Sequence, residues 1–291
     1  MKSWVMTSRH LFCFGLGYSA RALARHLRAQ GWRVSGTVRD PAAIDALARE
    51  GIEAHVFPLE SPAAALAGVS DVLSSVPPGE GGDPVLTAHG DALAALSGQW
   101  RWIGYLSTTG VYGNRDGGWV DESGALEPTG VRGARRVEAE AAWRALPVPA
   151  HVFRLAGIYG PGRNALVSVL EGSAKRIDKP GQVFSRIHVD DIAQILTASL
   201  ARPDPGRIYN VCDDDPAPPE AVIAYAAQLL DRPVPPLVPL AQAGLSAMGL
   251  SFYADNKRVS NRRIKNELGI SLRYPSYRDG LTALLPHHQS R

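Results

Sequence analysis

Gly15, Gly17 and Ala20 form a Gly-x-Gly-x-x-Ala turn, Gly15-Leu16-Gly17-Tyr18-Ser19-Ala20, directly after the apolar run Leu11-Phe12-Cys13-Phe14. The turn opens into a helical pattern, Ala20, Leu23, Ala24 and Leu27, with Arg21, Arg25 and Arg28 between the apolar positions. Strand, glycine turn and helix start together make a phosphate cradle. The first glycine allows the tight turn and the second lets backbone approach a pyrophosphate. The small third residue keeps helix and strand close, and unpaired N–H groups at the helix start face the phosphates. The pattern predicts dinucleotide binding through Gly15, Gly17, Tyr18, Ser19 and Ala20. Glycines between a strand and a helix are common, so the context must come from the rest of the chain.

A carboxylate that reads the cofactor ribose is expected roughly 20 residues beyond such glycines, at the end of the second strand. Gly36, Thr37 and Val38 stand there, none of them acidic, and Arg39 follows. An acid would accept hydrogen bonds from a ribose 2′-hydroxyl and repel a 2′-phosphate, whereas an arginine pairs with that phosphate. Arg39 therefore selects NADP(H) over NAD(H). The neighbouring Asp40 is better explained as a helix cap before Pro41. Pro77, in the break after the fourth strand, joins the cofactor-binding candidates.

These residues need a scaffold of alternating strands and helices. Further strands are expected over 32–38, 52–57, 69–76, 102–106 and 151–155. Helices are expected through Ile44–Ala48, Leu86–Leu96 and Arg132–Leu146. Short connections between alternating elements predict a parallel sheet wrapped by helices. After Tyr159-Gly160-Pro161-Gly162 the chain is richer in Pro, Gly and Arg. Helices are expected there over 190–200, 218–230 and 260–268, the last ending at Gly269, with a strand at 208–211 and a proline-rich connector over 232–239. The tail 286–291 is expected to be disordered. The fold class is thus α/β, a Rossmann doubly wound parallel sheet with a smaller C-terminal substrate-binding lobe. Residues 1–159 and 187–205 form the dinucleotide domain, and 160–186 with 206–291 form the lobe.

The chain has 291 residues, is 45% apolar and 20% charged, and carries a net charge of +3. No block of five like charges marks a nucleic-acid footprint, although Arg132, Arg135 and Arg136 cluster. Two cysteines, Cys13 and Cys212, provide no disulfide framework. Residues 1–10 lack the apolar core of a signal peptide, and no run approaches membrane-spanning length. A cytoplasmic protein with no membrane or nucleic-acid partner and no metal is expected.

From Ser107-Thr108-Thr109-Gly110-Val111-Tyr112-Gly113 onward the sequence resembles the extended short-chain dehydrogenase/reductase family, the NAD(P)-dependent epimerases and dehydratases of nucleotide sugars. Their strand-end pattern is Ser-Ser/Thr-x-x-Val-Tyr-Gly. Arg154-Leu155-Ala156-Gly157-Ile158-Tyr159-Gly160-Pro161-Gly162 is similar to the family's Arg-Pro-Gly-Asn-Val-Tyr-Gly-Pro-Gly. Ile187-His188-Val189-Asp190-Asp191-Ile192-Ala193 is similar to its Ile-His-Val-Asp-Asp-Val-Ala, and Tyr209-Asn210-Val211 and Glu267-Leu268-Gly269 also match. The glycine turn, the wording of the 154–162 stretch and the arginine-rich helix resemble the atypical, YeeZ-like branch. The resemblance places Thr108 where a substrate-binding hydroxyl sits, and makes Tyr112 and Tyr159 packing residues beside the site. It also makes His188, Asp190 and Asp191 a helix start, capped by one of the two aspartates, rather than a catalytic cluster. The family often dimerises through a two-helix face, so a homodimer is the implied assembly, but those helices carry atypical charges here.

The departure lies in the family's Tyr-x-x-x-Lys pair, whose tyrosine exchanges a proton with substrate while its lysine holds the nicotinamide ribose. With Glu140 as the register anchor, Arg136 takes the lysine position and Arg132 the tyrosine position; with Glu138, the residues are Ala134 and Gly130. Neither register supplies a tyrosine, and none lies between Tyr112 and Tyr159. A guanidinium stays protonated and has no acceptor, so it cannot act as the base. Arg132, Arg135 and Arg136 suit an anion, and Tyr112 is the nearest spare phenol for a substitute acid. Arg163, Asn164, Arg176 and Arg186 are further anion-contact candidates. Two functions fit. One is an NADP-dependent oxidoreductase or epimerase acting on a small anionic substrate, with Thr108, Tyr112, Arg132 and Arg136 as the candidate catalytic set. The other is a non-catalytic NADP-binding sensor or interaction module.

Overall fold

The computed structural model describes residues 9–148 and 150–286. The expectations for the first eight residues and for 287–291 of the tail lie outside the described residues.

Strands β1 (His10–Phe14), β2 (Arg33–Val38), β3 (Glu53–Val56), β4 (Asp71–Ser74), β5 (Trp102–Thr108), β6 (His151–Leu155) and β7 (Ile208–Val211) form one parallel sheet. Its order is β7-β6-β5-β4-β1-β2-β3. The strand order reverses between β1 and β4, and doubly wound sheets bind ligands outside the carboxyl ends of the strands at such a point. Burial on both faces demands continuous apolar strands rather than alternating ones. Leu11, Phe12, Cys13 and Phe14 in β1 are all fully buried.

The helices are α1 (Tyr18–Arg28), α2 (Ile44–Arg49), α3 (Pro62–Ala65), α4 (Pro84–Ala95), α5 (Val131–Arg144), α6 (Ala165–Leu170), α7 (Val189–Ala201), α8 (Pro219–Leu229), α9 (Ala247–Ala254), α10 (Arg262–Leu268) and α11 (Tyr277–Leu284). Ala20, Leu23, Ala24 and Leu27 form the buried stripe of α1, as their spacing predicts. The Asp40 carboxylate accepts from Ala42 N at 3.0 Å and, with Pro41, starts a short 3₁₀ turn ahead of α2. Asp83 caps α4 through Val85 N and Leu86 N and also accepts from Trp143 Nε1 of α5 at 2.9 Å.

The chain divides into two compact units, the first comprising 1–107, 135–153 and 193–208, the second 108–134, 154–192 and 209–291. In the first, Phe12, Phe14, Val72, Val85, Ile103 and Trp143 belong to one core. In the second, Tyr159, Leu166, Val222, Ala226, Tyr277 and Leu281 form a core of their own. Three short parallel pairs complete that unit: Gly157–Tyr159 with Arg186–His188, Arg176–Asp178 with Leu237–Pro239, and Trp119–Val120 with Arg258–Val259. The connector expected over 232–239 thus ends in a strand. Among the described residues no helix is long and apolar enough to cross a membrane.

Two buried imidazoles tie stability to pH. His10 contacts the Ser35 hydroxyl at 2.7 Å, and burial pulls its pKa down to about 4. His188 is 1% exposed and is likewise lowered by burial to about 4. Both are neutral in the folded chain at pH 7, while their unfolded forms take up protons below about pH 6.5. Their contribution is therefore complete above that value and is lost as pH falls through about 4. The urea midpoint is expected to drop between pH 7 and pH 4.5, with a smaller drop in a His10→Gln/His188→Gln variant. Equal drops in both proteins would show that other groups carry the effect.

Candidate functional site

The glycine turn is held from both sides within the first unit. Gly15 N donates to Thr37 Oγ1 at 2.9 Å, and Leu16 N donates to the Thr37 carbonyl at 2.8 Å. Gly15 O accepts from Ser75 Oγ at 2.6 Å. Gly15 has φ +84°, and a Cβ placed there would meet Ser75 Oγ at 3.0 Å. The residue must therefore be glycine for both conformation and space. Gly36 answers a different constraint: a Cβ on it would collide with the Cys13 carbonyl, so its absence lets β1 and β2 approach.

Gly17 is the N-cap of α1 and offers no side-chain cap. No heavy atom lies within 4 Å of where its Cβ would be, and no acid occupies the first turn of the helix. The surface beside Gly17 is thus open and free of first-turn acids, and the positive end of the helix dipole favours an anion there. Ser19 and Ala20 are buried in α1, and Tyr18 is half-buried. Arg39 follows β2, is exposed, and makes no ion pair or hydrogen bond among the described residues. Pro77 is exposed in the loop after β4. The turn after β1, the end of β2 and the loop after β4 are brought together by the hydrogen bonds of Thr37 and Ser75. Thr37 stands at the end of β2, where a ribose-reading acid is expected, and holds the turn instead; no local pattern marks Ser75 for its part.

Arg136 of α5 is half-buried and folded onto the end of β5. Its Nη1 donates to Leu106 O at 2.5 Å and to Tyr105 Oη at 3.0 Å. Arg135 instead pairs with the exposed Glu80 at 3.3 Å. The anchor Glu140 is 3% exposed and accepts from Ser107 Oγ.

Thr108, Tyr112 and Arg132 fall in the second unit. Thr108 Oγ1 accepts from Gly110 N at 3.1 Å, which leaves its hydroxyl hydrogen available to donate. Tyr112 is fully buried. Its hydroxyl donates to Asn210 Oδ1 at 2.7 Å and accepts from Arg154 Nη1 at 2.9 Å. Burial pushes the phenol up to about 12, so Tyr112 has neither the exposure nor the spare hydrogen of a proton donor. Arg132 is exposed.

Of the other candidates, Asn164 caps α6 through Val167 N at 3.1 Å, and Arg176 is spent on backbone carbonyls of Glu220 and Pro235. Arg163 pairs through its backbone with Gly160, and Arg186 lines a cavity. At the start of α7 the cap is His188, whose Nδ1 accepts from Asp190 N at 3.2 Å, not an aspartate. The strand runs directly into the helix, so the capping position falls on its last residue. Asp191 is fully buried and accepts from Arg273 N and Tyr274 N at 2.7 and 3.0 Å. It pins the segment leading into α11.

No protein-family model matches the chain. It is 28% identical over 275 residues to protein YeeZ of Escherichia coli K12, covering 90% of this chain and 94% of that one. A solved structure of a conserved protein of unknown function from Silicibacter pomeroyi is 56% identical and superposes with a TM-score of 0.92, over 97% of this chain and 100% of that one. The human epimerase family protein SDR39U1, solved with NADPH, has the same fold at 20% identity and a TM-score of 0.74, over 96% and 99% of the two chains.

The two glycines of the turn should respond differently to substitution. Gly15→Ala is expected to cost about 1–3 kcal/mol in a urea melt, from the left-handed backbone and the contact with Ser75 Oγ. Gly17→Ala, with φ −84° and open space around it, should change stability by less than about 1 kcal/mol.

Proposed function

Because the chain belongs to the extended short-chain dehydrogenase/reductase family, in its atypical, YeeZ-like branch, we propose that it binds NADP(H) and acts on a small anionic carbonyl or hydroxyl compound. One observation carries the choice of cofactor: Arg39, exposed and without an acidic partner, stands where a ribose-reading acid would be. The start of α1, without a side-chain cap and with open space beside Gly17, fits the pyrophosphate of the same molecule. In this assignment residues 1–159 and 187–205 make the cofactor domain, and 160–186 with 206–291 make the smaller substrate lobe, in the cytoplasm.

Gly15, Gly17, Tyr18, Ser19 and Ala20 would hold the pyrophosphate, Arg39 the 2′-phosphate, and Pro77 would flank them. Arg136 would take the ribose contact of the missing lysine. When bound, NADPH supplies the hydride. Thr108 donates its free hydroxyl hydrogen to a substrate oxygen. Arg132 and Arg136 hold negative charge and exchange no proton, since a guanidinium has no acceptor. The proton needed in a carbonyl reduction comes from water, because Tyr112 is engaged.

A second reading rests on the absence of any tyrosine between Tyr112 and Tyr159. The chain would then bind NADP(H) without turnover, as a redox sensor or interaction module. Consumption of NADPH with a carbonyl or sugar-nucleotide substrate separates the two.

Calorimetric titration with NADP(H) and NAD(H) tests the common premise. The wild type is expected to prefer NADP(H). Arg39→Ala should lose about 10- to 100-fold in NADP(H) affinity, the worth of a charge-assisted contact of about 1.5–3 kcal/mol, and little for NAD(H). Gly17→Ala should weaken both dinucleotides without unfolding the protein. Binding of neither dinucleotide to the wild type would overturn both readings.

A further inference from the structure

The second unit contains a cavity of about 310 Å³ lined by two cationic side chains, several hydroxyls and an apolar wall. It lies near the small end of the roughly 300–1,000 Å³ span of ligand sites. Its polar lining is Arg186, Lys175, Ser168 and the tyrosines Tyr159, Tyr253 and Tyr277, with no aspartate or glutamate. Val222, Ile223, Pro219 and Leu281 supply an apolar wall.

Arg186 is the centre of the charge. Its Nη1 donates to the carbonyls of Phe184 at 2.8 Å and Ala217 at 3.0 Å, which fixes the guanidinium plane. Its Nε and Nη2 engage no group among the described residues, and no carboxylate lies within ion-pair distance. Asp213 is 2% exposed, and burial holds its carboxyl well above the usual carboxylate range despite Arg186. It is a poor counter-ion. Asp215 is occupied by Arg278 at 3.1 Å. Lys175 has only the Ala243 carbonyl, at 2.7 Å. Tyr277 is 1% exposed, and its hydroxyl has no hydrogen-bond partner among the described residues.

The cavity therefore presents a fixed guanidinium edge, an ammonium and the unpartnered Tyr277 hydroxyl, each able to donate, beside aromatic and aliphatic walls. A cation drawn out of water without a partner is costly, and an acceptor-only ligand removes that cost. The open edge of a planar fork matches a carboxylate bidentately. The volume suits one ring and one acid group rather than a nucleoside diphosphate sugar.

We propose that this cavity binds a small carboxylic acid with an aromatic or branched apolar body. The carboxylate sits on Arg186 and Lys175, and the body lies against Tyr159, Tyr277 and Val222. The assignment deepens the reading above by naming the class of its anionic substrate, and it rests on that reading for turnover but not for binding.

Calorimetry on the full chain without dinucleotide tests it, with 3-phenylpropionate, 3-phenylpropionamide, phenyl phosphate and UDP-glucose as probes. The acid is expected to bind at least 10-fold more tightly than each of the other three. Arg186→Gln should cost the acid about 10- to 100-fold, and Lys175→Ala about 3- to 10-fold, with the amide unaffected by either. Lys175 is exposed, so Lys175→Ala keeps the test informative if Arg186→Gln does not fold. Equal binding of acid and amide, no binding of the acid, indifference of the acid to the folded variants, or tighter binding of phenyl phosphate or UDP-glucose would each overturn the proposal. NADP(H) titration of the same samples reports the cofactor reading separately: acid binding without NADP(H) binding refutes only the latter.

Discussion

The backbone of Gly15 is clamped between two hydroxyls, Thr37 Oγ1 on its N–H at 2.9 Å and Ser75 Oγ on its carbonyl at 2.6 Å. Those hydroxyls come from the end of β2 and from the residue after β4, so the clamp ties together the two neighbours of β1 where the strand order reverses. It holds the chain leaving β1 in a left-handed conformation at Gly15 and delivers α1 without a side-chain cap, with open space beside Gly17. Arg39 and Pro77 lie two residues beyond the clamping hydroxyls, and their placement follows from the clamp. Gly36 contributes by letting β2 come close enough for Thr37 to reach.

The end of β5 shows how an arginine-rich helix can be accommodated where the family has tyrosine and lysine. Arg136 spends Nη1 on Leu106 O and Tyr105 Oη, and its guanidinium lies 5.6 Å from the Tyr105 ring centre. Tyr105 is fully buried, and burial raises its phenol. Tyr112 is equally enclosed between Asn210 and Arg154. Both phenols near this strand end are thus structural hydrogen-bonding groups. Low-dielectric surroundings favour their neutral form, the opposite of what a tyrosine base needs. The arginines add positive charge without adding a proton relay.

Polar groups inside the second unit are treated unequally. Asp191 and Tyr112 are engaged by named partners, and His188 caps a helix while packing against Tyr274, with ring centres 4.1 Å apart and planes tilted by 49°. Arg186 keeps three of its five N–H donors, on Nε and Nη2, unspent. Gln182 Oε1, His188 Nε2, Asp213 Oδ2 and Glu220 Oε2 are also buried without a partner among the described residues of this unit, but Arg186 alone of these side chains lines the cavity, which marks it as part of a binding surface.

Local pattern carried most of the first unit. The apolar run of β1, the i, i+3, i+4, i+7 stripe of α1 and the Asp40-Pro41 start were legible because each depends on neighbours in sequence. The resemblance to a family was legible in a few short stretches for the same reason. Helix α11 could have been read from its capping box, Ser276 and Asp279, whereas α6 and α9 are too short for a clear period. What no local pattern contained was which long-range partner each polar residue finds. Thr37 and Ser75 meet Gly15 across 22 and 60 residues, and Asp191 meets Arg273 across 82. Tyr112 meets Asn210 across 98. Residue type and spacing are enough to establish the strand–turn–helix cradle, the arginine beside it and the missing tyrosine. Which hydroxyls are spent and which charges are left unpaired emerges in three dimensions alone, because hydrogen-bond satisfaction depends on what the fold brings within about 3 Å.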